Sequence, residues 1–470
     1  MAQTLPRKII PALFVGLALL VGAVAALHLW REEQRGRQLS ADAFAALQRG
    51  DRGEAMKKYT AALGCRMSAG DRALAYNARS AVYLAGHEID CAIADLDAAL
   101  RIMPNLGELH AARGAALLQK KDVERALADY SRAIELSPNY SPALLARGKI
   151  FLERQQPDAA LADLNEAVRT DPNNAEALQD RGNAYLLKGD AKSALANFES
   201  VLRSLPPEKL LLRDAFKQKI AELADTIAGD LRERGVVSYR AREFEEAIRS
   251  YDEALGYHPS AVTASTILTN RANARRALGQ REKAAQDYGE AIRLNPEATL
   301  AYYNRATNAL EMEKFDAALA DFGEVLRLRP SYAPALLGRG QLFVRQRDFE
   351  KANADFEAAL QNIEEVNPAE RLPAIERVAW MRATSPQAVL RNGAQEVELA
   401  TALCLKTQWA SSRSMDTLAA ANAEAGRFGE AVKTETEALQ LNDMPPDARR
   451  AMEQRLELYR QHKPFRYPEK

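Results

Sequence analysis

The sequence has few aromatic residues, few cysteines and histidines, and no excess of charge of either sign. Of its 470 residues 47% are hydrophobic but only 7% are Phe, Trp or Tyr. The apolar share is carried mainly by Ala and Leu, both strong helix formers. Runs of alternating Val, Ile and Thr, the mark of strands, are hard to find. This excludes a β-rich fold and predicts an almost wholly helical chain. The 64 basic and 64 acidic residues cancel and are interspersed. A protein that works on phosphate backbones carries a basic face, because each neutralised phosphate needs a Lys or Arg. No nucleic-acid partner is therefore expected.

The three cysteines, Cys65, Cys91 and Cys404, form neither a metal-like spacing nor an even-numbered framework, and free thiols are expected. The five histidines, His28, His87, His110, His258 and His462, are scattered. There is no HExxH, no Walker loop, no GxSxG and no Gly-rich turn between a strand and a helix. The chain reads as non-catalytic, with no cofactor and no metal site.

One long hydrophobic run is present. Residues 9–30, IIPALFVGLALLVGAVAALHLW, are 22 residues without Asp, Glu, Lys or Arg. At 1.5 Å per residue that length suits a bilayer core of about 30 Å. Arg7 and Lys8 precede it, Arg31, Arg35 and Arg37 follow, and Trp30 stands at an interfacial position. Two readings compete: an uncleaved single-pass transmembrane anchor, or a signal segment cut after Ala23-Val24-Ala25. The length favours the anchor. Ala18, Gly22 and Ala26 share one face and can pack two such helices together, a route to self-association. The short basic tail favours retention in the cytoplasm, which places the rest of a membrane-bound chain outside it, in a periplasm.

What the rest of the chain has in quantity is repetition. Pro104, Pro138, Pro172 and Pro206 are spaced by 34 residues, and Pro296 and Pro330 repeat the interval. The copies carry Arg and a small residue, an Ala, an aromatic or Leu, a further Ala or Val and, in all but the copy with Arg339, the Pro. Arg113-Gly114, Ala126, Tyr130, Ala133 and Pro138 make one; Arg147-Gly148, Ala160, Leu164, Ala167 and Pro172 the next. Copies follow with Arg181-Gly182, Arg234-Gly235, Arg271-Ala272, Arg305-Ala306 and Arg339-Gly340. Small residues facing each other let two helices approach closely. The aromatic or Leu four residues on stays on the same face, and Pro ends the second helix.

The stretch RALADYSRAIELSP, residues 125–138, belongs to this pattern. In six copies an Asp precedes the aromatic or Leu: Asp95, Asp129, Asp163, Asp287, Asp321 and Asp355, each with an Arg in its first helix, Arg79, Arg113, Arg147, Arg271, Arg305 and Arg339. The fifth and sixth copies have Asn197 and Ser250 instead. Arg and Asp are expected to pair across the two helices of a unit and fix their register, as an exposed pair worth about 0–1 kcal/mol.

A 34-residue period with these positions resembles the tetratricopeptide repeat (TPR) family, over roughly residues 36–461. The predicted organisation is a tail 1–8, the anchor or signal segment 9–30, a linker 31–40, units one to five over 41–206, a helical insert 207–227, units six to nine over 228–363, divergent units over 364–444, and a capping helix and tail 445–470. The fold class is all-α: a right-handed superhelical solenoid of antiparallel helix pairs, preceded by one N-terminal transmembrane helix.

The resemblance implies a concave groove lined by first helices and holding a peptide segment or helix of a protein partner. By position its lining is Asn77, Ala111, Ala115, Leu145, Lys149, Gln179, Asn183, Asn270, Asn273, Tyr303, Asn304, Thr307, Leu337 and Gln341. Asn270, Asn273, Asn304 and Thr307 form a polar cluster that can hold a peptide backbone, because Asn offers both donor and acceptor; the alternative is a solvated helix face. The expected function is a membrane-tethered scaffold for protein–protein interaction. The alternative is a regulatory or glycan-binding subunit of an envelope-assembly machine, or, further off, an enzyme.

Overall fold

A computed structural model describes residues 9–365, 368–391 and 393–466, with residues 9–20, 365 and 368–370 in backbone only. The described residues hold 23 α-helices, two short 3-10 turns and no strand. Two compact bodies divide the chain, Met1–Ala224 and Asp225–Lys470, with the boundary inside the helix Leu210–Arg240.

Helices come in antiparallel pairs, and sequence accounts for each turn between partners. Seven helices have an Asp, Ser or Asn side chain accepting from the first-turn backbone, among them Asp122 before Val123–Leu136 and Asn174 before Ala175–Leu187, which satisfies an otherwise orphaned N–H. Between the two helices of a pair one residue adopts φ near +60 to +80°. It is Gly at 50, 189, 279 and 426, but His87, Lys121, Gln155, Arg242, Glu313 and Arg347 in other units. Each unit is sealed by the predicted small-to-aromatic contact. Tyr251, Tyr288, Phe198, Phe322 and Phe356 are buried, and a Cβ added to Gly182 would stand 2.7 Å from Phe198.

All six expected Arg–Asp pairs form. In each, Nε donates to one carboxylate oxygen and Nη2 to the other, at 2.7–3.0 Å, across sixteen residues of sequence. Their environment differs from the expected one, since the carboxylates are only 4–6% exposed. Buried pairing of this kind raises the penalty for breaking it well above that of a surface bridge. Where Asp is missing, Arg181 Nε donates to Asn197 Oδ1 at 2.7 Å and Arg234 Nε to Ser250 Oγ at 3.1 Å. Arg181 then lacks a carboxylate, and burial holds its pKa below the usual value.

The N-terminal expectation is corrected. Among the described residues no helix is long and apolar enough to cross a membrane, so the single-pass anchor over residues 9–30, and with it the periplasmic placement, is not supported. Those residues open a 40-residue helix, Ile9–Gln48, that runs on without a break through Arg31, Glu32, Glu33, Arg35 and Arg37. Arg7 and Lys8 lie outside the described residues. The same helix replaces the expected linker 31–40 and packs Gly36 close to Cys65 and Met67.

Residues 207–227 likewise merge into a longer element, the 31-residue helix Leu210–Arg240. Beyond residue 363 the helices Pro368–Thr384, Gly393–Lys406, Ser412–Glu424 and Phe428–Ala438 pack together, and Pro446–Arg460 closes over the last of them. The three cysteines are free.

Candidate functional site

The groove residues expected from sequence all fall on the first helix of their pair, in two sets that belong to different bodies. In the first body, Asn77 lies on Ala69–Ala85, Lys149 on Ser141–Glu153 and Asn183 on Ala175–Leu187. Lys149 Nζ is bound to Glu176 of the next first helix, and Asn183 Oδ1 accepts from Lys219 at 3.1 Å. Lys219 lies 4.1 Å over the Phe198 ring, and burial lowers its pKa. Asp180, 8% exposed, has one oxygen without a partner among the described residues, and burial raises its pKa against the pull of Lys149.

The second body brings together Asn270 and Asn273 on Ala261–Ala277 with Tyr303, Asn304 and Thr307 on Thr299–Glu311. The two helices are tied by Arg276 Nη1, which donates to Thr307 Oγ1 at 2.7 Å. Positions three apart share a helix face, but the cluster is not uniform. Asn273 Oδ1 accepts from the buried Tyr288 hydroxyl at 2.6 Å, and Thr307 Oγ1 donates to the Asn304 carbonyl at 2.8 Å. Tyr303 meets Tyr332 edge to face and Phe322 at a tilt. The side-chain amides of Asn270 and Asn304 make no hydrogen bond among the described residues and are half-buried. Gln341, on Ala333–Arg345, occupies the register of Asn273 and Thr307 one unit further on.

Sequence reasoning missed the most perturbed titratable cluster. Arg455 on the closing helix binds Asp416 through Nε and Nη2 at 2.8 and 2.7 Å. Its guanidinium lies 5.0 Å from the Trp380 ring and 5.5 Å from that of Phe465. Glu435, fully buried, approaches Arg455 at 3.7 Å. Two carboxyl groups share one cation, so burial and the Asp416 charge drive the Glu435 pKa upward and keep it protonated at neutral pH. Arg413 pairs with Glu376 beside them, and the Tyr459 hydroxyl is buried. Perturbed carboxyls are the usual mark of an active site, but Glu435 is 0% exposed and Asp416 8%. Their partners are one another, and they lock the closing helix to the pair beneath it. Nothing but position in the fold joins these residues, so no local motif could have revealed them.

Among the described residues no group of three or more His, Cys, Asp or Glu is placed to hold a metal ion.

Four tetratricopeptide-repeat family models match the chain, over residues 107–140, 148–189, 265–297 and 303–365. No curated protein matches significantly. Among solved structures, yeast Tom70 is 14% identical over 91% of this chain and 96% of its own, with a TM-score of 0.34. The TPR domain of P58(IPK) is 18% identical over 76% and 98%, with a TM-score of 0.26. The first TPR of Spaghetti (RPAP3), bound to an HSP90 peptide, is 26% identical over 26% and 95%, with a TM-score of 0.25.

Proposed function

Since the chain is a tetratricopeptide-repeat protein, we propose that it is a non-catalytic scaffold that holds an extended segment of a partner protein on the first helices of its second body. The observation that supports this is the contrast within one helix face. Asn273 and Thr307 are spent on internal hydrogen bonds, whereas Asn270 and Asn304, one repeat apart at the same register, keep their amides uncommitted. Each amide offers one acceptor and two donors, enough to pair with a backbone N–H and C=O whatever the side chains. Neighbouring helices lie about 8–10 Å apart, a spacing of roughly three residues of extended chain. Tyr303 adds an aromatic surface beside them, and Gln341 continues the polar row.

The test is a random-sequence peptide library selected on the full chain, followed by affinity measurements on the selected peptides. Replacing Asn270 and Asn304 together by Ala removes two hydrogen bonds of about 1 kcal/mol each and should weaken the peptides by about tenfold or more. The melting temperature should stay nearly unchanged. Selected peptides that bind the double variant as well as the parent would sink the reading.

A further inference from the structure

A second site lies away from that face, where the seventh and eighth units meet, and it does not depend on the scaffold reading. A cavity of about 380 Å³ opens between the helices Arg281–Leu294, Thr299–Glu311 and Phe315–Leu328. This is within the usual range for small-molecule pockets.

Three departures from the repeat lie at or beside this cavity. The residue after the packing Ala of the second helix is Met56, Ile93, Leu127, Leu161, Leu195 and Ile248 in the preceding units, but Ala285 here. The residue after the aromatic is Thr60, Asp97, Ser131, Asn165 and Asp252 in units where the next Arg reaches back, and its side-chain oxygen accepts from that arginine's Nη1. In the seventh unit that residue is Gly289, so Arg305, bound to Asp321 through Nε and Nη2, has Nη1 without its usual acceptor. The third break is Asn308, at a register held by Ala116, Ile150, Ala184, Ala274 and Leu342 elsewhere. It is 0% exposed; its Nδ2 donates to the Arg281 carbonyl at 2.9 Å and its Oδ1 has no partner among the described residues. A buried unpaired carbonyl oxygen is costly, and a ligand that brings a donor removes the cost.

We propose that this cavity binds a small carboxylic acid that carries a hydroxyl or amino group and a short aliphatic chain. The carboxylate meets Arg305 Nη1 and the exposed Lys314 ammonium at the rim, the hydroxyl or amino group donates to Asn308 Oδ1, and the aliphatic part fills the space that Ala285 leaves against Met312 and Ala317. Three complementary features are thus present at once: a cationic donor, an orphaned acceptor and an apolar wall where the sister units carry a larger side chain.

The test is calorimetric titration of the full chain with 2-hydroxy-4-methylpentanoate and with its deoxy analogue, 4-methylpentanoate. The hydroxy acid should bind saturably and at least about tenfold tighter than the deoxy acid, because only it satisfies Asn308. Ala285→Leu restores the side chain of the sister units, should fold at least as stably as the parent, and should abolish binding of both. Gly289→Asp, whose Cβ meets nothing closer than Arg305 Nη1 at 3.7 Å, supplies the missing acceptor and should weaken both acids. Asn308→Leu should level the two affinities. Undiminished binding in the folded Ala285→Leu variant, or no saturable heat from either acid up to about 10 mM, would overturn the proposal.

Discussion

Arg147 grips Asp163 with two parallel hydrogen bonds, Nε to Oδ2 at 2.8 Å and Nη2 to Oδ1 at 2.7 Å. The carboxylate is only 5% exposed at its side chain, while the guanidinium keeps 21%. The two ends of the pair are therefore not equivalent. Arg147→Ala strands an enclosed charge and should cost about 3–5 kcal/mol, more than Asp163→Ala, whose leftover cation can still reach water. Asp163→Asn should be milder than either, since Arg181 and Asn197 already show that arrangement. In urea unfolding the double variant should lose less than the sum of the single ones by at least about 1 kcal/mol. Strict additivity would mean that the pair contributes no coupling.

Gly182 permits the closest approach of its helix to Phe198. A Cβ there would meet the ring at 2.7 and 2.9 Å, and the ring is buried with nowhere to turn. Gly182→Ala should therefore destabilise by about 1–3 kcal/mol, outweighing the gain of about 1 kcal/mol in helix propensity. In a Phe198→Leu background, which copies the Gly148–Leu164 pair where a Cβ would meet Leu164 at 3.0 Å, the penalty of the same change should be smaller. Thermal melts of the four proteins check this; an equal penalty in both backgrounds would rule out the ring as the cause.

Asn270 and Asn273 look alike in sequence and should differ in stability. Asn273→Ala leaves the buried Tyr288 hydroxyl without its acceptor, a loss of about 1–3 kcal/mol. Asn270→Ala should change stability by less than about 0.5 kcal/mol. Adding Tyr288→Phe should recover much of the Asn273→Ala loss, and failure to do so would show that the hydrogen bond is not what Asn273 contributes.

Glu396 is fully buried, 3.1 Å from Arg382 Nε, and burial pushes its pKa up to about 7 against the pull of that arginine. A carboxyl whose pKa is raised on folding binds more protons in the native state than in the unfolded chain between about pH 4.5 and 7. Its contribution is thus full below that window and falls as pH rises through it. The loss is on the order of 3 kcal/mol by pH 8. Glu396→Gln removes the titration, so the stability difference between parent and variant should shift against the parent as pH rises. A pH-independent difference, measured by urea unfolding at pH 5 and pH 8, would contradict the assignment.

The repeat and its pairing were legible because each uses residues a fixed number of positions apart. Arg and Asp always sixteen residues apart, and Gly or Ala facing an aromatic or Leu, are patterns one line of sequence displays. The N-terminal expectation rested on the length and composition of one window, and it is overturned because among the described residues no helix is long and apolar enough to cross a membrane. The polar face was legible as a set but not as a division of labour, since only contacts show that Asn273 is engaged and Asn270 is not.

Sequence alone determined the helix pair, its register, its turns and the Arg–Asp lock, because helical period and side-chain size act over a few tens of residues. Tertiary structure decided everything that depends on which units become neighbours. Asp416, Glu435 and Arg455 share no spacing with any other group, yet meet around one cation. Ala285 and Asn308 are mild departures from a pattern until packing sets them, with Arg305, around one void. Burial and the energy of an unpaired group are properties of what surrounds a residue, and those surroundings come from distant parts of the chain.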